Sequence, residues 1–207
     1  GEIVEIATVM GEEDLVYYAV FEEIPIKLVP KAGTTGVVER KGVTESHIDD
    51  SVTTDGYARP ANFNEYYVYG FTGRRFASSD IKNYFEVQGN GYIDSVVNSE
   101  ISGRYGTGAK VIVKHNEPDE VIEEFYVIIF GDIDGNARVD ATDTSVLINE
   151  IKSASWSNKR NTAQYRAYRV KSADLDTNGR VAAADSTKLI NVVRTSLSID
   201  QTTGFAS

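Results

Sequence analysis

The sequence predicts two modules of different class, an all-β module over residues 1–130 and a small α-helical module over residues 131–207. Three observations lead to this prediction. Short runs rich in Val, Ile, Tyr and Phe alternate with glycine-containing turns up to Phe130. An acidic twelve-residue loop then occurs twice, and a segment with helical periodicity follows each copy. The change from period two to a helical period places the boundary at about Gly131.

Nine segments of the first module have the composition of β-strands. They are Glu2–Val9, Leu15–Phe21, Ile24–Val29, Val37–Val43, Glu65–Phe71, Tyr84–Gln88, Tyr92–Val97, Ala109–Lys114 and Glu120–Phe130. Gly89-Asn90-Gly91 predicts a hairpin turn because glycine and asparagine tolerate positive φ. The polar stretch Glu45–Asn64 is predicted as a loop. Many short strands of this kind are typical of a sandwich-like, Ig-like fold or of a pair of small sheets.

The repeated loop has the clearest chemistry. Residues 132–143 return as residues 174–185, and ten of the twenty positions of 132–151 are identical in 174–193. Both copies have oxygen-bearing side chains at loop positions 1, 3, 5 and 12, which is the spacing with which one loop wraps a calcium ion. The sequence therefore predicts two calcium ions. Metal-free Asp/Asn-rich turns are the alternative, but the repeat preserves ligand spacing as well as composition.

The predicted ligands follow from the loop positions. In the first loop they are Asp132, Asp134, Asn136, the carbonyl of Arg138, Asp140 and Asp143. In the second loop they are Asp174, Asp176, Asn178, the carbonyl of Arg180 and Asp185. Position 9 of the second loop is Ala182, so that site is expected to be the weaker one. Position 6 of the first loop is Ala137, where a positive φ is expected despite the side chain.

Helical periodicity follows each loop. Thr142–Ser153 and Ala184–Ser196 are predicted as helices, with Leu147 and Leu189 as core residues. An insert, Ala154–Ala173, separates the two repeats, and its part Thr162–Lys171 is predicted as a third short helix.

Composition narrows the function classes. The net charge is −10; residues 1–130 hold 11 basic and 22 acidic side chains, whereas residues 131–207 hold ten and nine. The acidic first half disfavours nucleic acid and anionic membranes as partners. The absence of cysteine excludes disulfides and thiolate zinc sites. There is no initiator Met and no signal-peptide pattern, so we expect a piece of a longer protein, and calcium ligation favours an extracellular setting.

A family resemblance adds to these inferences. The segment before the first loop, Glu123–Phe130, reads as a strand, so neither repeat is a full EF-hand. Loop-then-helix, given twice within Gly131–Ser196, resembles the dockerin modules of bacterial cellulosomes. The β-rich module upstream resembles an X-module, and the pair is most similar to the X-module–dockerin dyads of ruminococcal cellulose-adhesion proteins.

The resemblance implies a partner and a place. It implies calcium-dependent binding to a cohesin module of a scaffoldin or cell-surface anchoring protein, outside the bacterial cell or on its surface, with the X-module bracing the dockerin. Family dockerins contact cohesin through loop positions 10 and 11 and the following helix. The corresponding residues here are Ala141, Thr142, Ile148, Asn149, Ser153, Ala183, Ala184, Ile190, Asn191 and Thr195. Ile148 and Ile190 could equally be core residues.

A basic cluster in the insert is either a solvated face or a surface that steers an acidic cohesin; it consists of Lys159, Arg160, Arg166, Arg169 and Lys171.

Three other functions are less favoured. Catalysis is not expected, because the chain has no nucleophile elbow and no phosphate-binding loop, and His47 and His115 lie far apart. Carbohydrate binding by residues 1–130 is the main alternative, since tyrosines such as Tyr66, Tyr67 and Tyr69 could stack on sugar rings. A calcium-triggered switch would need a methionine-rich groove, and Met10 is the only methionine.

Overall fold

The computed structural model describes residues 24–40, 66–72, 77–153 and 167–207. Two predicted strands, Glu2–Val9 and Leu15–Phe21, lie outside these ranges, as do the whole of the predicted loop Glu45–Asn64 and the first part of the predicted third helix.

The seven predicted strands that begin within or next to these ranges are all present. They are β1 Lys27–Pro30, β2 Val37–Arg40, β3 Tyr66–Tyr69, β4 Phe85–Gln88, β5 Gly91–Val97, β6 Lys110–His115 and β7 Val121–Val127. The described helices are α1 Ile81–Tyr84, α2 Ala141–Ser153, α3 Ala167–Ala173 and α4 Ala183–Val193. A 3₁₀ turn, Ser78–Asp80, precedes α1. The sequence did not predict it or α1.

The strands form two sheets. β1 and β4 pair antiparallel, and the larger sheet has the order β2-β3-β7-β6-β5. Within it only β3 and β7 run parallel. The predicted hairpin at Gly89-Asn90-Gly91 is wrong, because this turn leads from β4 in the small sheet to β5 in the large one. β4 pairs with β1, from Lys27 opposite Gln88 onwards, and so is not a partner of β5.

One hydrophobic core lies between the two sheets. Leu28 and Phe85 of the small sheet pack with Val68, Val111 and Phe125 of the large sheet, and all five are at most 1% exposed. The region is sheet-rich, as predicted, whereas its assignment to a sandwich-like fold stays a prediction. The finer Ig-like assignment stays a prediction.

A second core lies on the opposite face of the large sheet. Residues of β3 and β7 alternate in direction, so Tyr67 and Tyr126 point away from the first core. Tyr67 is buried together with residues of the helical region, including Leu147 and Leu189. The ring of Tyr126 stacks on that of Tyr168 in α3, with 4.8 Å between the ring centroids. The helical region therefore packs directly on the sheet.

The chain end closes over the junction of the two regions. The side-chain amide of Gln201 donates to the carbonyl of Phe130 and accepts from the Phe130 amide, both at 2.9 Å. Ala206 N donates to Leu175 O at 2.9 Å, so the same segment also reaches the second acidic loop. No described helix is both long and apolar enough to cross a membrane.

Candidate calcium centres

Both predicted loops bring their carboxylates together. One oxygen each from Asp132, Asp134 and Asp143 lie within 4.8 Å of one another, and the same holds for Asp174, Asp176 and Asp185. Oxygens bound to one calcium ion lie at most about 5.2 Å apart, since each bond is about 2.3–2.6 Å long. The carboxylate spacing in both loops therefore suits a single calcium ion.

The aspartate at position 12 ties each helix to its loop. Asp143 lies in the first turn of α2, where its Oδ1 accepts from Ile133 N at 2.7 Å and its Oδ2 accepts from Asp140 N at 2.8 Å. Asp185 repeats this in α4, accepting from Leu175 N and Ala182 N, both at 2.8 Å. These bonds draw the helix start toward the loop, which explains how an aspartate can replace the longer glutamate.

Both loops turn sharply at positions 4 and 6. The first loop has φ values of 74° at Gly135 and 69° at Ala137, and the second has 58° at Thr177 and 80° at Gly179. The predicted positive φ of Ala137 is confirmed. Each loop thus has one glycine and one strained residue, but at exchanged positions.

Two buried oxygen atoms test whether calcium fits these sites. Asn136 Oδ1 and Asp174 Oδ1 are two of the five side-chain atoms in the described part of the chain that are buried without a hydrogen-bond partner. Buried polar atoms nearly always have a partner. The Asn136 amide nitrogen instead donates to Asp134 Oδ2 at 2.8 Å, which leaves the amide oxygen for a cation. Both unpaired atoms belong to predicted ligands, so the residues present fit calcium.

Electrostatics agree with this conclusion. Burial raises the pKa of Asp132 to about 7, and it raises the pKa of Asp143 and of Asp174 to about 6. Burial also raises the pKa of Asp185. Neighbouring carboxylates add to each shift because like charges disfavour ionisation. A divalent cation would offset both costs.

The remaining predicted ligands stay predictions. Asp140 is half-buried, and its Oδ1 accepts from Thr142 N at 2.8 Å. Arg138 and Arg180 are exposed, and only their backbone carbonyls are proposed as ligands.

One contact to the first loop was not predicted. Thr107, in the turn between β5 and β6, donates its backbone N–H to Asp132 Oδ2 at 2.8 Å. The two residues are 25 positions apart, and no spacing pattern in the sequence connects them.

The residues implied to contact cohesin lie around α2 and α4. Seven of them are exposed: Ala141, Thr142, Asn149, Ser153, Ala183, Ala184 and Thr195. Ile148, Ile190 and Asn191 are half-buried. Within the described residues, neither isoleucine belongs to a hydrophobic core, whereas Leu147 and Leu189 are fully buried. Their role as cohesin contacts stays a prediction.

Only two residues of the basic cluster predicted in the insert lie within the described part of the chain. Lys159, Arg160 and Arg166 lie outside the described residues. Arg169 donates from Nε to Ile133 O at 3.1 Å, and Lys171 Nζ lies 3.0 Å from Glu39 Oε2 and 5.1 Å from the ring centroid of Tyr69. Both side chains are half-buried and make contacts within the chain, so they do not form a freely solvated face, and steering of an acidic cohesin stays a prediction.

The tyrosines considered for sugar binding are packed. Tyr67 is 3% exposed, and Tyr66 and Tyr69 are half-buried. The Tyr69 hydroxyl donates to Glu39 Oε2 at 2.8 Å, and burial together with this bond raises its pKa. These three rings do not form an exposed stacking platform.

Comparison with known proteins gives a family match in the second region. Residues 130–194 match the family model of the dockerin type I domain. No curated protein and no solved structure matches the chain. The matched residues include both loops together with α2, α3 and α4, which supports a cellulosome dockerin in this part of the chain. Dockerin domains are non-catalytic; they bind calcium and cohesin modules, and they occur typically in extracellular cellulosome components.

Proposed function

We propose that the chain is an X-module–dockerin dyad of the ruminococcal cellulose-adhesion kind. It binds a cohesin in a calcium-dependent way and so attaches its parent protein to a scaffoldin or to the bacterial cell surface. The observation that carries the proposal is the pair of loop–helix repeats whose carboxylates converge, within the residues that match the dockerin type I domain. The chain's role is adhesion without catalysis.

Calcium acts structurally in this proposal. Bound calcium would compensate the buried carboxylates, and Asp143 and Asp185, which join each loop to the start of the following helix, would be among the residues that hold the two ions. Because the ligands converge only in the folded chain, binding contributes directly to folding free energy. The ions thereby hold α2 and α4 in the arrangement that cohesin contacts.

The proposed cohesin surface combines small exposed residues with two half-buried isoleucines. Ala141, Ala183 and Ala184 allow close approach of the partner, and Ile148 and Ile190 supply apolar area. Small and apolar residues at the centre of an interface with polar residues around it are common in protein complexes.

Residues 1–130 brace the dockerin as the X-module in this proposal. Support comes from the core that Tyr67 and Phe130 share with Leu147 and Leu189. The stacking of Tyr126 on Tyr168 and the Lys171–Glu39 ion pair are further contacts between the two regions.

A binding screen tests the proposal. The full chain is titrated against a panel of cohesin modules by isothermal titration calorimetry, once with calcium and once with EDTA. We expect binding to at least one cohesin, lost on chelation and lost in the double variant Asp132→Ala, Asp174→Ala. Undiminished binding in EDTA, or no binding to any cohesin of a broad panel, would contradict the proposal.

A further inference from the structure

We infer that the first calcium site is built jointly by the two modules, and that the β5–β6 loop, residues 98–108, raises the calcium affinity of this site and not of the second one through Ser102, Gly106 and Thr107. The inference rests on the proposed calcium-dependent function. It assigns to Thr107 and its neighbours the role of positioning residues for Asp132.

The first argument is the bond to the ligand at loop position 1. Thr107 N donates to Asp132 Oδ2 at 2.8 Å, and both residues are fully buried. The hydroxyl of Thr107 donates to Ile129 O and accepts from Ile129 N, both at 3.1 Å. Thr107 is thereby fixed next to Asp132, and its amide can hold the carboxylate in one orientation.

The second argument is direct backbone contact between the two loops. Ser102 Oγ donates to Gly135 O at 2.5 Å. A Cβ added to Gly106 would lie 2.2 Å from Gly135 O and 2.4 Å from Ala137 N. The β5–β6 loop therefore lies directly on positions 4 and 6 of the first calcium loop.

The third argument explains why the glycines exchange positions between the two repeats. A Cβ on Gly135, at position 4, would lie 2.7 Å from Thr107 O and 3.0 Å from Ser99 Oγ, so only glycine fits beneath the β5–β6 loop. The equivalent residue of the second loop is Thr177, which is exposed. The glycine of the second loop is Gly179, where a Cβ would meet nothing within 4 Å. The first repeat thus has its glycine where the other module covers it.

The second site lacks this support in the described part of the chain. The equivalent ligand, Asp174, accepts at Oδ2 from Gly179 N of its own loop at 2.9 Å, and its Oδ1 has no partner there. The two position-12 aspartates have matching bonds, and Asp132 Oδ1 also accepts from Asn136 N of its own loop at 2.9 Å. The Thr107 bond is the difference at position 1 that comes from outside the calcium loop. Outer partners that orient a ligand typically change metal affinity by about 10–100-fold.

The test compares two glycine variants of the full chain, Gly106→Ala and Gly103→Ala. The alanine at position 106 would press on the first calcium loop, whereas a Cβ on Gly103 meets nothing within 4 Å. Gly103 has a positive φ of 68°, whereas Gly106 does not have a positive φ. An alanine at position 103 therefore causes at least as much backbone strain as an alanine at position 106. Calcium chloride is titrated into each protein, and site affinities are followed by the NMR amide signals of Gly135 and Gly179, with calorimetry for the totals.

We expect Gly106→Ala to weaken calcium binding at the Gly135 site by about tenfold or more without a matching change at the Gly179 site. Gly103→Ala should leave both affinities close to those of the unchanged protein. Equal affinities in all three proteins, or equal weakening at both sites, would overturn the inference. If Gly106→Ala does not fold, Ser102→Ala removes the bond to Gly135 O without adding volume and is expected to weaken the same site selectively.

The cohesin screen separates this inference from the proposed function. A selective loss at the first site in a chain that binds no cohesin would support the inference and remove the function. Calcium-dependent cohesin binding together with unchanged site affinities in Gly106→Ala would support the proposed function and overturn the inference.

Discussion

The aspartates of the first calcium loop show how far the arrangement of single side chains could be predicted from the sequence. The spacing of Asp132, Asp134 and Asp143 predicted that their oxygens converge, because a short loop leaves few other ways to arrange them. The bond from Thr107 to Asp132 could not be predicted, since it depends on how two distant segments pack.

At the residue scale, loss of a position-1 ligand should remove calcium-dependent stability. For Asp132→Ala or Asp174→Ala, the lost linkage at a calcium concentration 100 times Kd is about 2.7 kcal/mol per site. Thermal unfolding with and without calcium measures this loss. Asp140→Ala is the matched control: Asp140 is itself a predicted ligand, but the second loop has Ala182 at this position and is still expected to bind calcium, so the loss should be smaller. A loss as large in the control as in Asp132→Ala would contradict the ligand assignment.

The raised pKa of Asp132 predicts a pH dependence of the calcium-free protein. The pKa of an aspartate in an unfolded chain is about 3.9, and the folded protein raises that of Asp132 to about 7. Between these values the folded protein binds more protons than the unfolded chain, so the free energy of unfolding falls as pH rises through this window. Urea unfolding of calcium-stripped protein at pH 5 and pH 7.5 measures it. Higher stability at pH 7.5 would contradict the assignment, and added calcium should reduce the difference, because calcium binds the ionised carboxylates.

At the scale of elements, local pattern predicted strands and helices better than their pairing. The alternation in β6 placed Val111 and Val113 on one face, and both are fully buried. The turn Gly89-Asn90-Gly91 has the residues of a hairpin, but β1 occupies the pairing edge of β4. Turn chemistry specifies a local bend, whereas the partner of a strand depends on residues far away in the sequence.

Adjacent residues of α2 should separate core packing from partner binding. Leu147→Ala removes a fully buried side chain and is expected to lower the free energy of unfolding by about 2–5 kcal/mol. Ile148→Ala alters a half-buried residue outside both described cores and should cost much less stability while weakening cohesin binding. Chemical denaturation and cohesin titration of both variants measure the two effects. A similar loss of stability in both would place Ile148 in the core.

At the scale of the whole molecule, the predicted division near residue 130 does not correspond to a gap in packing. The sequence indicated two regions because their hydrophobic periods differ, and the structure agrees on that change. Periodicity could not indicate that Tyr67 and Phe130 belong to the same core as Leu189, because shared burial leaves no local pattern.

This packing predicts resistance to proteolysis at the junction. Phe130, Asp132 and Ile133 are at most 3% exposed. Limited proteolysis of the calcium-loaded protein, followed by mass spectrometry, should give no early cleavage within residues 130–134. The same digestion after chelation is the control and should give faster cleavage there, because the calcium-free protein is less stable. Rapid cleavage in the calcium-loaded protein would show that the junction opens even when calcium is bound.

Gly108 limits how freely the helical region could be transplanted. A Cβ at this position would lie 2.5 Å from the Tyr168 ring, so the sheet and α3 fit each other at the level of single atoms. A fusion that carries only residues 131–207 would leave Tyr168 and Val170 without the tyrosine-rich surface that covers them. For engineering, the portable unit is therefore the helical region together with its sheet, and an exchanged upstream neighbour would need a glycine and aromatic rings at matching places.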